Sequence, residues 1–198
     1  MKHRLITNTW LQAPGGTEGI VRDLVRAWHQ RGDRVTVYSP RLGAIAESLR
    51  AEGVVVTDTL ASLSTPPDLI HGHHNLETMT ALLRFPGVPA LYHCHGYDPW
   101  QELAPRHPRI LRYLAISDRV AGRVHEHTGI AREAIHLVFN YADPDLFRPH
   151  RDTPAERPTR AVIYDRYLDA RETAIIQNTC AAAGITCTPF ADLNPPVT

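Results

Sequence analysis

The sequence lacks most of the features that would name a partner directly. It carries no net charge, with 21 Lys and Arg against 21 Asp and Glu, which argues against nucleic acid or another polyanion. It has no apolar run long enough to span a bilayer. Its start, MKHRLITNTWLQ, is too polar for a secretory signal. Its three cysteines, Cys94, Cys180 and Cys187, are odd in number and show no zinc-like pairing. A disulfide framework is therefore not expected, and a reduced, intracellular setting is the default. There is no internal repeat and no low-complexity tract. What is present is a 198-residue chain with 43% hydrophobic residues, 12 histidines and 16 prolines. That is enough for one large soluble domain, or one domain and part of another.

Hydrophobic periodicity orders the chain as alternating strands and helices. Arg4–Thr7 reads as a strand, followed by the loop NTWLQAPGGTEG. Gly19–Gln30 reads as a helix whose apolar face is Ile20, Val21, Leu24, Val25 and Trp28. Strands are expected at 34–39, 54–57, 68–73, 90–96, 112–117 and 135–140. Helices are expected at 44–51, 76–84 and 118–127, with a short helical piece at 61–64 that Pro66 and Pro67 end. Parallel strands require such crossovers, and the helices then cover both faces of the sheet. The expected fold for 1–150 is an α/β, Rossmann-like, doubly wound, mainly parallel sheet; a barrel would need a longer chain. The segment 151–159 is charged and proline-bearing and reads as a linker. Residues 160–198 hold one βαβ unit: a strand at 161–165, a helix near 171–183 and a short strand near 185–189. That is too little to fold independently, so it is either the start of a cut-short second domain or a unit docked on the first.

Ligands of open parallel sheets sit outside the carboxyl ends of the strands. Three loops reach that rim. The first, APGGTEG, follows the opening strand and leads into a helix. Gly15, Gly16 and Gly19 let a ligand approach the backbone, free N–H groups at a helix start attract phosphate, and Thr17 adds a hydroxyl or a cap. The spacing is neither the dinucleotide fingerprint nor a P-loop, and a plain strand-to-helix turn with Glu18 as a first-turn acid reads equally well. The second loop, IHGHHN, brings His71, His73 and His74. The third, LYHCHGYDPW, brings His93 and His95, which share a face if the strand persists, with Cys94 turned away into packing. A neutral imidazole can exchange a proton or hydrogen-bond a sugar hydroxyl. Asp98 can orient such a histidine or contact a polyol, while Tyr97 and Trp100 offer flat faces to a sugar ring or anchor the loop. The remaining histidines, His74 among them, read as backbone-satisfied.

The H-x-H pairs also raise a metal-dependent hydrolase built on His71, His73, His93 and His95. Against it, no acidic residue follows them at a repeated ligand spacing, and Cys180 and Cys187 lie far along the chain. The expectation is no metal ligand and no cofactor.

The chain resembles the N-terminal half of a retaining glycosyltransferase of family 4, with the GT-B fold. The resemblance runs through most of residues 3–150. It is carried by GGTEGIVRDLVRAWHQRGDRVTVYSP at 15–40, DLIHGHH at 68–74, VPALYHCHGYD at 88–98, YLAISDRVAGRV at 113–124 and IHLVFNYADPDLFRP at 135–149. It implies donor-diphosphate contacts for Gly15 and Gly16, with Thr17 beside them, and a place at the reaction centre for His95. It implies an acceptor-side position for His71 and His73, and Ser117 matches the family's serine after the A-x-S strand. The family's closing N-G-V-D appears as NYAD, with Asn140 and Asp143 kept and Tyr141 in place of the glycine. The implied chemistry is transfer of a sugar from a nucleotide-diphosphate sugar, with retention, to a small-molecule, glycan or lipid-linked acceptor. The implied location is cytoplasmic, free or peripheral at the inner membrane face. The basic pair and paired glutamates of the family's donor domain are not found in 160–198. The chain therefore carries half a site, inactive without a C-terminal donor domain in the same or another chain. The competing expectation is a non-catalytic module of this fold that binds a sugar, a nucleotide or a partner protein.

Overall fold

The computed structural model describes residues 1–13, 15–142, 144, 148, 156–164 and 168–190. It divides into two compact units, Met1–Tyr141 and Ala142–Thr198. Asp143, most of the expected linker at 151–159 and the terminal NPPVT lie outside the described residues.

The first unit is a seven-stranded sheet: β1 His3–Thr7, β2 Arg34–Tyr38, β3 Val55–Thr57, β4 Leu69–Gly72, β5 Ala90–Cys94, β6 Ile110–Ala115 and β7 Ile135–Leu137. The strands lie in the order β3-β2-β1-β4-β5-β6-β7, and every pair is parallel. The chain winds outward from β1 to β3, then returns to lay β4 on the other side of β1. The order reverses between β1 and β4, the place where sheets of this kind leave a crevice. Side chains alternate across the sheet, so neighbours along β1 belong to different cores. Leu5 packs with Ile70, Leu82 and Val124 on one face. Ile6 packs with Val21, Val25 and Leu49 on the other. Burial on both faces is what a parallel sheet requires.

Helices α1 Gly16–Gln30, α2 Ala44–Ala51, α3 Asn75–Arg84 and α4 Asp118–Thr128 cover the two faces. Helix α1 begins three residues earlier than its periodicity suggests. The Gly19 N–H closes a first turn on the Gly15 carbonyl at 3.0 Å, so the glycine segment is the helix start rather than a loop before it. Helix α4 is capped by the Ser117 hydroxyl, which accepts from the Val120 N–H, and it ends at Gly129 with φ 68°, a left-handed stop that favours glycine. Strand β7 stops at Leu137 instead of reaching residue 140. Its neighbour β6 ends at Ala115, whose carbonyl takes the last ladder bond from Val138 N–H. Beyond that point no strand among the described residues pairs with it. A two-residue bridge between Trp10–Leu11 and Arg41–Leu42 was not expected from sequence. No helix among the described residues is long and apolar enough to cross a membrane.

The second unit holds strand β8 Arg160–Ile163, helix α5 Ala170–Ala182 and strand β9 Thr186–Pro189, with β8 and β9 parallel. Asp169 and Glu172 form a reciprocal capping box at the start of α5, which satisfies two N–H groups that the helix itself leaves open.

Candidate functional site

Strands β4 and β5 run in register with residue 72 level with residue 92. Continued one residue past β4, that register sets 73 beside 93. The two histidine pairs therefore interleave at the carboxyl ends of adjacent strands. Ring centroids are 4.5 Å apart for His71 and His73, 5.9 Å for His71 and His93, 5.6 Å for His73 and His93, and 4.1 Å for His93 and His95. His73 Nδ1 and His95 Nε2 share a hydrogen bond of 2.7 Å. Trp28 of α1 lies against His71 at 5.4 Å between centroids.

The glycine between His71 and His73 leaves room for α3 on the opposite face of β4. A methyl at Gly72 would run into the side chain of Thr78, with its Cβ at 2.8 Å. Thr78 is fully buried on α3, where its hydroxyl donates to the His74 carbonyl at 2.6 Å. Gly72 thus sets how closely α3 packs on β4.

Burial lowers the basicity of the whole cluster. Desolvation is the leading cause for each ring, and the neighbouring imidazoles add to it for His71, His73 and His95. His71 falls to about 3, His93 to about 4 and His95 to about 2, and His73 lies well below its usual value. The charge of Glu102 and a hydrogen bond to the Val138 backbone partly oppose the fall at His93. At neutral pH all four are uncharged hydrogen-bonding groups, each with one donor and one acceptor nitrogen. Five of their ring nitrogens are buried without a partner: both of His71, Nε2 of His73, Nε2 of His93 and Nδ1 of His95.

The structure supplies groups that sequence patterns did not flag. Glu102 sits on a 3-10 turn at Trp100–Glu102 and is 4% exposed. One carboxylate oxygen accepts from the His95 backbone N–H at 2.8 Å, and the other lies 3.5 Å from His74 Nε2. His74 Nδ1 accepts from the Thr9 N–H at 3.0 Å, and Glu77 accepts from the Thr9 hydroxyl at 2.8 Å. His74 is therefore a structural tie between the β1 and β5 loops. No spacing rule links Thr9, Glu77 and Glu102 in the chain. Their only signal is that a buried carboxylate needs partners.

The other expected residues fall around this centre. Cys94 turns away from the imidazoles, donates to the carbonyls of Glu102 and Gly96, and is pushed up to about 12, chiefly by desolvation. Gly15 and Gly16 form the first turn of α1, where no side chain caps the free N–H groups. Thr17 follows inside the helix, so it is not the cap. One turn further on, Ile20 and Leu24 line an apolar cavity of about 110 Å3 with His71, His93, Val138 and Phe139. Tyr97 is taken up by Arg119 and Arg123, whose guanidinium carbons lie 4.3 and 5.1 Å from its ring centre. The Asp98 carbonyl accepts from Arg123, and the Trp100 carbonyl from Asn75. Trp100 is 62% exposed, which leaves its ring open to a ligand. The Ser117 hydroxyl is engaged as the α4 cap.

The spacing of the histidines along the chain does not suggest a metal site. In three dimensions, one nitrogen from each of His71, His73 and His93 lies within 4.8 Å of the others.

Comparison with known proteins follows the same outline. The family model Glycosyltransferase Family 4 matches residues 14–146. No curated protein matches the chain. Among solved structures, Anabaena HepE in complex with UDP and glucose is 16% identical, with TM-score 0.65, over 98% of this chain and 63% of that one. HepE in complex with UDP-glucose is 13% identical, with TM-score 0.59, over 96% and 69%. MurG of Acinetobacter baumannii is 12% identical, with TM-score 0.52, over 96% and 68%. At these identities the likeness is one of fold, and the chain spans about two-thirds of each neighbour's length.

Proposed function

The chain belongs to Glycosyltransferase Family 4, and from that premise we propose that it forms the acceptor-binding half of an enzyme that transfers a sugar from a nucleotide-diphosphate sugar with retention of configuration. The observation that carries this reading is that α1, through Ile20 and Leu24, shares a cavity with His71 and His93 at the ends of β4 and β5, beside the reversal of strand order. HepE, of like fold, has been seen with UDP-glucose, which supports a nucleotide sugar as donor here.

The physical roles follow from what transfer demands. The departing diphosphate needs N–H donors and positive charge as it leaves. Gly15 and Gly16 offer a helix start with no side-chain cap hydrogen bond, and the Glu18 carboxylate that folds back over Gly15 must swing aside for a diphosphate to bind. His95 is neutral and tied through Nε2 to His73, so it serves by hydrogen-bonding a sugar or acceptor hydroxyl at the reaction centre rather than as a cation. His71 and His73 line the acceptor side. Exposed Trp100 and the neighbouring Asp98 and Tyr97 complete the acceptor rim, with Trp100 as a stacking face. Ser117 holds the start of α4 behind them. Water must be excluded and donor and acceptor held in line, which calls for a second, donor-binding half. No cofactor is assigned to the transfer, and the nucleotide sugar is a substrate.

The test is a transfer assay with a panel of nucleotide-diphosphate sugars, with and without a donor-binding half joined to this chain. Product anomers are read by proton NMR. Retained product only when the second half is present is the expected result. Inverted product removes the retaining assignment, and turnover by the 198-residue chain alone removes the half-site assignment. In the completed enzyme, His95→Ala is expected to lower kcat by about 100-fold or more. Transfer at the wild-type rate takes His95 out of the centre.

A further inference from the structure

We propose that His71, His73 and His93 bind one zinc(II) ion at the carboxyl ends of β4 and β5, with a fourth position open toward the adjoining cavity. This does not depend on sugar transfer. It rests on the orphaned nitrogens of the cluster and on which of them carry lone pairs.

The three candidate donor nitrogens lie within 4.8 Å of one another. A tetrahedral zinc site with bonds of about 2.0–2.1 Å holds its nitrogens roughly 3.4 Å apart. His71 stacks on His73 at 22° and on His93 at 17°, so binding the ion turns these rings out of the stack to converge their lone pairs. The hydrogen bonds on the far sides of the rings favour the required tautomers. The Val138 backbone lies beside His93, in the sense that supports its protonated form, and Nε2 of His93 is buried without a partner. A ring that donates Nδ1–H to a carbonyl presents a lone pair at Nε2. His73 stands likewise: Nδ1 bonds His95, and Nε2 is buried without a partner. When His73 donates in that bond, Nε2 is a ligand. His71 has both nitrogens unpartnered, so either is available. Metal-binding histidines characteristically anchor their second nitrogen in this way.

The chemistry of the set selects the ion. Three imidazoles with an open position suit zinc and its late first-row neighbours, and exclude calcium and magnesium, which demand oxygen. An acidic ligand, whose absence weighed against a metal in the sequence, is not needed by such a set. The buried Glu102 carboxylate lies close enough to act on His93 through its charge and partly balances the ion. The cavity of about 110 Å3 lined by His71 and His93 adjoins the cluster and has room for a water or a substrate oxygen in the fourth position.

The full chain, without an affinity tag and stripped with a chelator, is titrated with zinc(II) against a chromophoric competitor and with cobalt(II) alone. One zinc per chain, visible bands of four-coordinate cobalt, and a zinc-edge absorption spectrum with three imidazoles at about 2.0 Å are expected. His71→Gln and His93→Gln are each expected to weaken zinc binding at least about tenfold, since loss of a ligand costs no less than loss of its outer support. His127→Gln, an exposed position on α4, is expected to leave binding unchanged. The proposal is overturned by absence of stoichiometric zinc in the wild-type chain, by fewer than three imidazoles in the spectrum, or by folded cluster variants that bind as the wild type does. Should the cluster variants fail to fold, the wild-type spectrum decides.

Discussion

At the scale of single residues, four histidines are held neutral by burial, with the neighbouring imidazoles adding to the effect for His71, His73 and His95. His71, His93 and His95 protonate natively only near 3, 4 and 2, whereas in the unfolded chain they take up protons near pH 6.5. Their native values are lowered, so between these limits the unfolded state binds more protons. Stability is then full above about pH 6.5 and falls as the pH drops. Each buried ring contributes a slope of up to about 1.4 kcal/mol per pH unit below that point. Urea unfolding at pH 7.5, 6.0 and 5.0 is expected to show a steep loss while the ordinary carboxylates are still ionised. A flat profile across that range would mean that the rings are hydrated and not buried as described. The residue types were legible in the sequence, and so was their place at strand ends. Their pairing was not: the bond between His73 and His95 depends on the register of two strands. Glu102 was invisible for a related reason, because a carboxylate seven residues past His95 has meaning only once a 3-10 turn brings it back to that backbone.

At the scale of elements, Gly72 shows how one position couples a strand, a helix and the site. The Thr78 hydroxyl and methyl occupy the space that a Cβ at position 72 would need. Gly72→Ala is expected to destabilise the fold by about 1–3 kcal/mol through overpacking. Thr78→Ala in the same chain is expected to recover part of that loss, giving a non-zero coupling in a double-mutant cycle measured by urea unfolding. Additive effects would show that α3 shifts freely and that Gly72 does not set its distance. Periodicity located the helices to within a few residues. The misses have local causes. Helix α1 was placed three residues late because glycines are poor helix formers, yet a first turn asks for little more than free N–H groups and room. The apolar Val138 and Phe139 suggest a longer β7, but after the Val138 N–H makes the last ladder bond to Ala115 their side chains line the cavity beside His93.

At the scale of the whole molecule, the sheet order places β1, β4 and β5 well inside the first unit and leaves β3 and β7 at its edges. Native-state hydrogen exchange is expected to find the slowest amides in β1, β4 and β5 and faster ones in β3 and β7. Edge strands protected more than β4 would contradict this order. Such a profile would also show the histidine-bearing strand ends anchored in the most stable part of the unit. The sequence by itself determined the alternation of strands and helices, the parallel sheet covered on both faces, and the location of glycines and histidines at the carboxyl rim. These follow from short-range periodicity, and a crossover between parallel strands has little freedom of hand or place. Only the tertiary structure decided that the order reverses between β1 and β4, that Gly72 lies level with Tyr92 so that the histidines on either side interleave, and that Glu102 and Thr9 close the site. Those are contacts between segments tens of residues apart, fixed by side-chain packing across strands and loops, and no periodicity within one segment encodes them.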